Sequence, residues 1–516
     1  LNKLLIRILL HLQVEFSNRK IGEDFELGAM VGHSFLKTRS RTSYIDAQNY
    51  PSPAFDVASV AANIVDASAG LSEYAIESYF ARLSLAYKDR YVVNATIRTD
   101  GSSRFAPDCR WGWFPSVSVG WNVSNESFWN AEKTDLKIRA SYGRTGNQDG
   151  ISNYGWQALI SGGVNYGGQS GIAISSSGND RLTWETADQY NAGFDLSFLG
   201  GKINMIADVY LKNTNNLLYS KPVHATTGET SILSNIGSMR NKGVEFTINT
   251  HLNLGKVLWS SSFNIARNVN KLTSLLEDDL LSIGANRALK LGRTVGSWYI
   301  FRTDGIYQYD GEVPQALYDK GVRAGDVKYW DRNGDGNITD DDRIVTGNPN
   351  PKFSGGWNNT FKYKGLELSL FFTYSYGNDV YASWMIPGSK PGHTRSLLKA
   401  YADNRWTGPG TSDKYPRAIY SYSGWNGKNS TMYLTDGSFI RLRSVTLGYT
   451  FPQRLVSKIH LKGLRVYAQG DNVFLCSRYP GWDPETSVNL DPRFYGEDND
   501  GVPQPRIFKL GVNITF

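Results

Sequence analysis

The sequence predicts an all-β fold, a transmembrane antiparallel β-barrel of which this chain carries a part. Three observations predict it. Apolar and polar residues alternate strictly in many short segments, as in Phe508, Leu510, Val512, Ile514 and Phe516 against Lys509, Gly511, Asn513 and Thr515. The connections between these segments alternate between short and long, as they do in outer-membrane barrels. No run of about 18 apolar residues exists, so a spanning helix is excluded, while a barrel needs only alternate residues to face lipid.

The segments follow in order. Leu5–Phe16 and Asp24–Phe35 are weak candidates, and a long Ser-, Ala-, Asn- and Pro-rich loop is expected from about Lys37 to Glu73. The pattern then sharpens. Leu83, Leu85 and Tyr87 lead through the turn Lys88-Asp89-Arg90 to Val93, Ala95 and Ile97. Val117, Val119 and Trp121 precede Leu136, Ile138, Ala140 and Tyr142. Phe194, Leu196 and Phe198 turn at Gly200-Gly201 into Ile203, Met205, Ala207, Val209 and Leu211. Val244, Phe246 and Ile248 turn at Gly255 into Trp259, Phe263 and Ile265. Leu366, Leu368, Leu370, Phe372, Tyr374 and Tyr376 form the cleanest apolar face. Val445, Leu447, Tyr449 and Phe451 are followed by Leu464, Val466, Ala468 and Phe474, and then by the last strand.

Short connections are expected at Lys88–Arg90, Leu199–Lys202, Leu252–Gly255 and Tyr363–Gly365, and long ones at about 145–183, 213–238, 379–436 and 475–503. Keeping every long loop on one side requires that 269–352 hold zero strands or two, and Arg293–Gln308 resembles one. The expected count is therefore about 15, or about 17 if that segment splits. An odd count does not close a bacterial single-chain barrel. The residue at position 1 is Leu and no secretory signal pattern follows it. The expectation is the carboxy-terminal part of a longer protein.

Composition narrows the function. Lys and Arg total 55 against 48 Asp and Glu, but they are scattered singly, which argues against a nucleic-acid stripe. Aromatics at 13% suit interface girdles and stacking surfaces. Cys109 and Cys476 are too few for a disulfide framework; both sit in loop-like stretches and receive no role. His11, His33, His224, His251, His393 and His460 are dispersed, without zinc spacing, and no nucleophile elbow or P-loop occurs.

One motif has metal-ligand spacing. Asp331, Asn333 and Asp335 stand at positions 1, 3 and 5 of an EF-hand-type loop, Gly336 at 6, Asn337 with a carbonyl at 7, and Asp342 at 12 in place of Glu. Six to eight oxygens are what Ca²⁺ requires, so a structural Ca²⁺ ordering an outer loop is one reading; a metal-free Asp/Asn/Gly turn is the other. Glu245 and Glu367 fall on the polar face, where solvated charge is ordinary and a glycosidase pair is not indicated. Trp156, Tyr166, Trp384, Trp406, Tyr420 and Trp425 in outer loops either stack on sugar rings or pack the loops together. Arg441 and Arg443, just above the apolar band, face lipopolysaccharide phosphates or a solvated rim.

A family likeness rests on motifs in a fixed order. They are Arg90-Tyr91-Val92-Val93-Asn94-Ala95-Thr96-Ile97-Arg98-Thr99-Asp100-Gly101-Ser102-Ser103-Arg104-Phe105, Trp111-Gly112-Trp113-Phe114-Pro115-Ser116 and Arg139-Ala140-Ser141-Tyr142-Gly143-Arg144-Thr145-Gly146-Asn147-Gln148. Further along come Asn241-Lys242-Gly243-Val244-Glu245, Gly347-Asn348-Pro349-Asn350-Pro351-Lys352-Phe353 and Ser444-Val445-Thr446-Leu447-Gly448-Tyr449. Together they resemble the SusC/RagA-type TonB-dependent transporters of Bacteroidota, over nearly the whole chain from Tyr79. The resemblance implies a barrel of 22 strands with a plugged lumen. It also implies a plug domain and TonB box ahead of the barrel, neither of which is in this chain. Further implications are a SusD-like lipoprotein lid over the long loops, and non-enzymatic import of oligosaccharides or peptides through the cell outer membrane. Two alternatives stand beside it: a TonB-dependent siderophore or cobalamin receptor, and a secreted, calcium-stabilised glycan-binding or glycan-cleaving β-protein.

Overall fold

Alternation lets a strand bury one face and wet the other, and antiparallel pairing satisfies its backbone. In the computed structural model fifteen strands, among the described residues, pair in strict chain order. They are β1 Asn2–Ile21, β2 Phe25–Gln48, β3 Asn63–Tyr87, β4 Tyr91–Ser102, β5 Trp111–Asn122, β6 Thr134–Asn147, β7 Glu185–Phe198, β8 Ile203–Asn215, β9 Gly237–Leu254, β10 Val257–Leu275, β11 Phe353–Tyr363, β12 Leu366–Tyr376, β13 Phe439–Thr450, β14 Gly463–Ser477 and β15 Ile507–Thr515. The structure describes all residues except 1, 56, 131–132, 225, 227, 276–279, 389–396 and 420–423. Among the described residues no helix is long and apolar enough to cross a membrane.

The chain divides into two compact units, Leu1–Ala131 with Leu136–Phe194 and Tyr210–Met239, and Glu132–Asp135 with Asp195–Val209 and Arg240–Phe516. In the first unit β1 to β6 form an antiparallel meander. The expected loop Lys37–Glu73 is mostly strand, because β2 runs on to Gln48 and β3 starts at Asn63, with Lys37 paired to Ala75 and Ser43 to Ala69. Residues on both faces of this extension are exposed, Tyr44 and Ile45 on β2 and Ile64 and Val65 on β3 among them, so the sequence shows no alternation although the backbone ladder continues. Leu5–Phe16 lies within β1, paired to β2.

Aromatic rings sit in register on these strands. Tyr87 is opposite Tyr91, which is opposite Trp121, with ring centroids 6.4 and 6.3 Å apart. Tyr79, Thr99 and Trp113 share a second row. Between the rows lie exposed Leu83, Ile97, Val117 and Val119. At about 3.3 Å per residue, Tyr79–Tyr87 spans roughly 26 Å along the strand, or roughly 20 Å after a tilt near 40°, the scale of a lipid-facing band. The buried apolar cluster of this unit is Phe105, Phe114, Ile151, Leu182 and Trp184, at the long-connection end of the strands.

In the second unit β10 to β15 pair antiparallel through β11–β14. Leu366, Tyr449, Val466 and Val512 fall in one row, and Leu366, Leu447, Leu510 and Val512 are exposed. An apolar face this extensive in contact with water is not how a soluble domain is built. Short links occupy 255–256 and 364–365; the tight one at Lys364–Gly365 needs positive φ at both residues, and a Cβ on Gly365 would stand 2.5 Å from the Thr450 carbonyl oxygen. The long link between β10 and β11 folds on itself. It holds a four-stranded sheet (Leu280–Ile283, Arg287–Lys290, Trp298–Phe301, Arg343–Thr346) and a two-stranded one (Thr303–Ile306, Val327–Tyr329). Arg293–Gln308 thus contributes no strand to the fifteen. Trp298, Ile300 and Phe301 are all buried, so it is a doubly covered core strand rather than a half-wet one.

Candidate functional site

The long connections of the second unit build a packed cap from three segments distant in sequence. Trp298 and Ile300 pack with Val380, Tyr381, Tyr433 and Tyr479 in one apolar cluster; Phe301, Tyr307, Leu317, Val327 and Tyr329 form another. Burial of this kind stabilises each large side chain by about 1.5–3 kcal/mol. The loops are therefore a folded body, held at its seams by buried charge.

Arg287 is one seam. It is fully buried, its guanidinium stacked 4.1 Å from the Trp298 ring centre. It donates to the carbonyls of Gly296, Phe494 (3.2 Å) and Tyr495 (3.0 Å), and Glu497 stands 3.8 Å away. Burial pushes its pKa down to about 10, against the pull of Glu497. Arg441 is the other seam. It is buried against Asp483 at 2.5 Å, and Glu485 lies 2.7 Å from its Nε in an ion contact lacking hydrogen-bond alignment. Arg443 meets the other Glu485 oxygen at 2.6 Å. The expectation that Arg441 and Arg443 face lipopolysaccharide or a solvated rim is therefore corrected. The register slips between Leu442 and Ser444, so Ile440 takes the exposed apolar face and Arg441 turns inward. Arg441 was singled out from the sequence but given the wrong surroundings, whereas Arg287 was not singled out; its only signal is a charge next to Ala288 and Leu289.

The acidic loop folds as a set of Asx turns. Asp331 accepts the N–H groups of Gly334 (2.7 Å) and Gly336 (2.8 Å), and Asn333 and Asp335 accept those two residues ahead. The Asn333 amide donates to Asp335 at 3.0 Å, so these two oxygen-bearing side chains meet. The Asn337 side-chain oxygen is taken by Lys320 at 2.8 Å. Asp342 is fully buried and accepts the N–H groups of Arg332 (2.9 Å) and Thr339 (2.8 Å). The structure thus brings Asp331, Asn333 and Asp335 together and gives Asp342 a capping task. Among the described residues no group of three or more His, Cys, Asp and Glu is arranged to hold a metal ion.

The loop aromatics mostly pack. Trp156 donates to the Ser103 carbonyl, Trp384 to the Tyr479 hydroxyl, Trp406 to Gln308 and Trp425 to the Val327 carbonyl. Tyr166 is 91% exposed and free to stack. Tyr420 and His393 lie outside the described residues. Glu367 is ion-paired with Lys362 and Arg465 on the polar face, at 3.0 and 2.9 Å. Cys476 is not in a loop but inside β14.

Residues 10–358 match the family described as TonB dependent receptor-like, beta-barrel. A TonB-dependent receptor of Formosa agariphila is 33% identical over 96% of this chain and 52% of its own length. The TonB-dependent receptor SusC of Bacteroides thetaiotaomicron is 31% identical over 85% of this chain and 43% of its own. The chain spans about half the length of the curated relatives it matches. The fold matches the RagAB peptide transporter with a TM-score of 0.85 at 22% identity, over all of this chain and 56% of that one. The chain is a member of the TonB-dependent receptor β-barrel family, an outer-membrane protein and not an enzyme.

Proposed function

We propose that this chain is the barrel portion of an importer that takes up oligosaccharides or peptides through the outer membrane, with a SusD-like surface lipoprotein closing over its long loops. The observation that carries this reading is the cap. Its two apolar clusters and its buried arginines make the long connections a pre-formed surface, which a lid needs and a bare channel does not. Likeness to SusC in sequence, and to a peptide transporter in fold, supports the same class. Energy would reach the substrate through TonB pulling on a plug domain ahead of residue 1, because nothing in this chain resembles a nucleotide site. A siderophore or cobalamin receptor would share the strands without the lid. Affinity purification of the protein from detergent-solubilised outer membranes tests this: a stoichiometric lipoprotein encoded beside it is expected. A protein that purifies alone, and whose loss impairs only iron or cobalamin uptake, would overturn the reading.

We also propose that Ca²⁺ binds at Asp331, Asn333 and Asp335, with the Asn337 carbonyl, as a structural ion. The all-oxygen donor set suits a hard cation and these carboxylates keep lone pairs beyond their turn hydrogen bonds. Asp342 would take part only by giving up its capping bonds. Tb³⁺ luminescence sensitised by the adjacent Trp330, displaced by Ca²⁺ and lost in Asp331→Asn, is the expected result; no sensitised emission would dismiss the site.

A further inference from the structure

The hairpin of β2 and β3 outgrows its neighbours. β4 pairs with β3 only as far as Ile76 opposite Ser102, while β3 begins at Asn63. From Ala75 to Asn63 the hairpin therefore rises roughly 40 Å, at about 3.3 Å per residue. On its other side β1 covers β2 up to Ser43. The uncovered edge is that of β3, and residues 63–71 are exposed throughout.

Hydrogen bonding at the base fixes which backbone groups face out. Ser103 donates its N–H to the Ala75 carbonyl, and its hydroxyl accepts the Ala75 N–H at 2.9 Å. The Tyr154 hydroxyl accepts the Glu73 N–H at 3.0 Å. Odd-numbered residues here thus turn their backbone to the β4 side, and even-numbered ones turn theirs to β2. Farther up, the N–H and C=O groups of Leu71, Ala69 and Ala67 point along the open edge, with no partner among the described residues. This window is closed at both ends. The Tyr154 hydroxyl and the Asn153 amide on Ser72 (2.6 Å) hold its base, and a bulge that leaves Val65 without an opposite residue ends it above. Between them, Ala67-Ser68-Ala69-Gly70-Leu71 has no charge, no proline and little side-chain bulk. Exposed edges are ordinarily blunted by lysine, proline or a covering loop. This one is left open as a template for an added strand.

We propose that an uncharged, extended segment of the surface lipoprotein adds to this edge, through backbone bonds to Ala67, Ala69 and Leu71; the inference rests on the lid reading above. Three arguments choose this occupant. Copies held in one membrane point the same way, so their β3 strands run in the same sense, whereas a symmetric edge-to-edge pair is antiparallel; a second copy does not fit. The window lies roughly 13–26 Å beyond Ala75 along the strand, within reach of a protein seated over the long connections. A bare neutral edge invites aggregation, so a partner that stays bound fits it better than a cargo that leaves.

The test compares protein purified from outer membranes with and without the lipoprotein gene, by hydrogen exchange resolved to single amides across 63–75. With lipoprotein bound, the amides of Ala67, Ala69 and Leu71 should exchange at least about tenfold more slowly, the scale of one new backbone hydrogen bond. Those of Ser68 and Gly70, already turned to β2, should not change. Ala69→Pro removes one outward N–H and leaves the β2 ladder whole. It should weaken retention of the lipoprotein about tenfold, with heat-modifiable gel migration unchanged, while Ala69→Val retains it. Lipoprotein bound without protection of the three amides, or held equally by Ala69→Pro, overturns this inference and leaves the lid reading intact. Protection that persists without the lipoprotein gene overturns the choice of occupant. No co-purifying lipoprotein at all overturns both.

Discussion

At the scale of single residues, the chain uses buried charge to pin its loops. Arg441 and Asp483 are 3% and 2% exposed, so removing one leaves the other charged and without water. Arg441→Ala should destabilise the connection between β14 and β15 locally by ~3–5 kcal/mol, read as new protease cleavage within 478–506, while the strands stay intact. Asp379 carries a pH dependence. Burial raises its carboxyl above the ordinary 3.8, ahead of the opposing Asn348 N–H and Lys352. The folded form therefore binds its proton more tightly than the unfolded chain does. The stabilisation is fully present below 3.8 and is lost as pH rises through the raised value. Asp379→Asn should flatten that loss, checked by tryptophan-fluorescence melting of the cap from acid to neutral pH; an unchanged pH profile would show that Asp379 does not carry it.

At the scale of elements, strands that face lipid on one side were readable and those that do not were hidden. β12 and β15 announce themselves because one face is uniformly apolar. The outer halves of β2 and β3 do not, since residues on both faces are exposed there, held by the backbone ladder and by ion pairs such as Lys37–Glu73 and Arg39–Glu73. Trp298–Phe301 misled in the opposite direction: covered on both faces, it has strand composition without belonging to the large sheet. A bulge leaves no mark in composition, which is why Arg441 read as facing lipopolysaccharide phosphates or a solvated rim and is buried. The acidic loop was visible as a turn motif, but its use of Asp342 as a cap depends on Arg332 and Thr339 amides that only the fold places there. The face assignment of β12 is itself testable. Leu370→Arg, on the apolar face, should cost ~2–4 kcal/mol and reduce the folded, heat-modifiable band, whereas Ser369→Arg on the polar face should be tolerated.

At the scale of the whole molecule, the strands supply a lipid-facing scaffold and the long connections supply a surface. Two of the apolar clusters among the described residues lie in the cap, with Trp298, Tyr381 and Tyr433 fully buried in it, so the cap is built like a soluble domain; a third, around Phe105 and Trp184, belongs to the first unit. The most direct test of import is uptake by cells of the source bacterium with and without the gene. Fluorescent oligosaccharides and peptides should accumulate in the parent, lose that accumulation when the gene is deleted, and lose it equally when a protonophore removes the energy that TonB transmits. Unchanged accumulation of every oligosaccharide and peptide, alongside loss of ferric-chelate uptake, would contradict the assignment and place the chain among siderophore receptors.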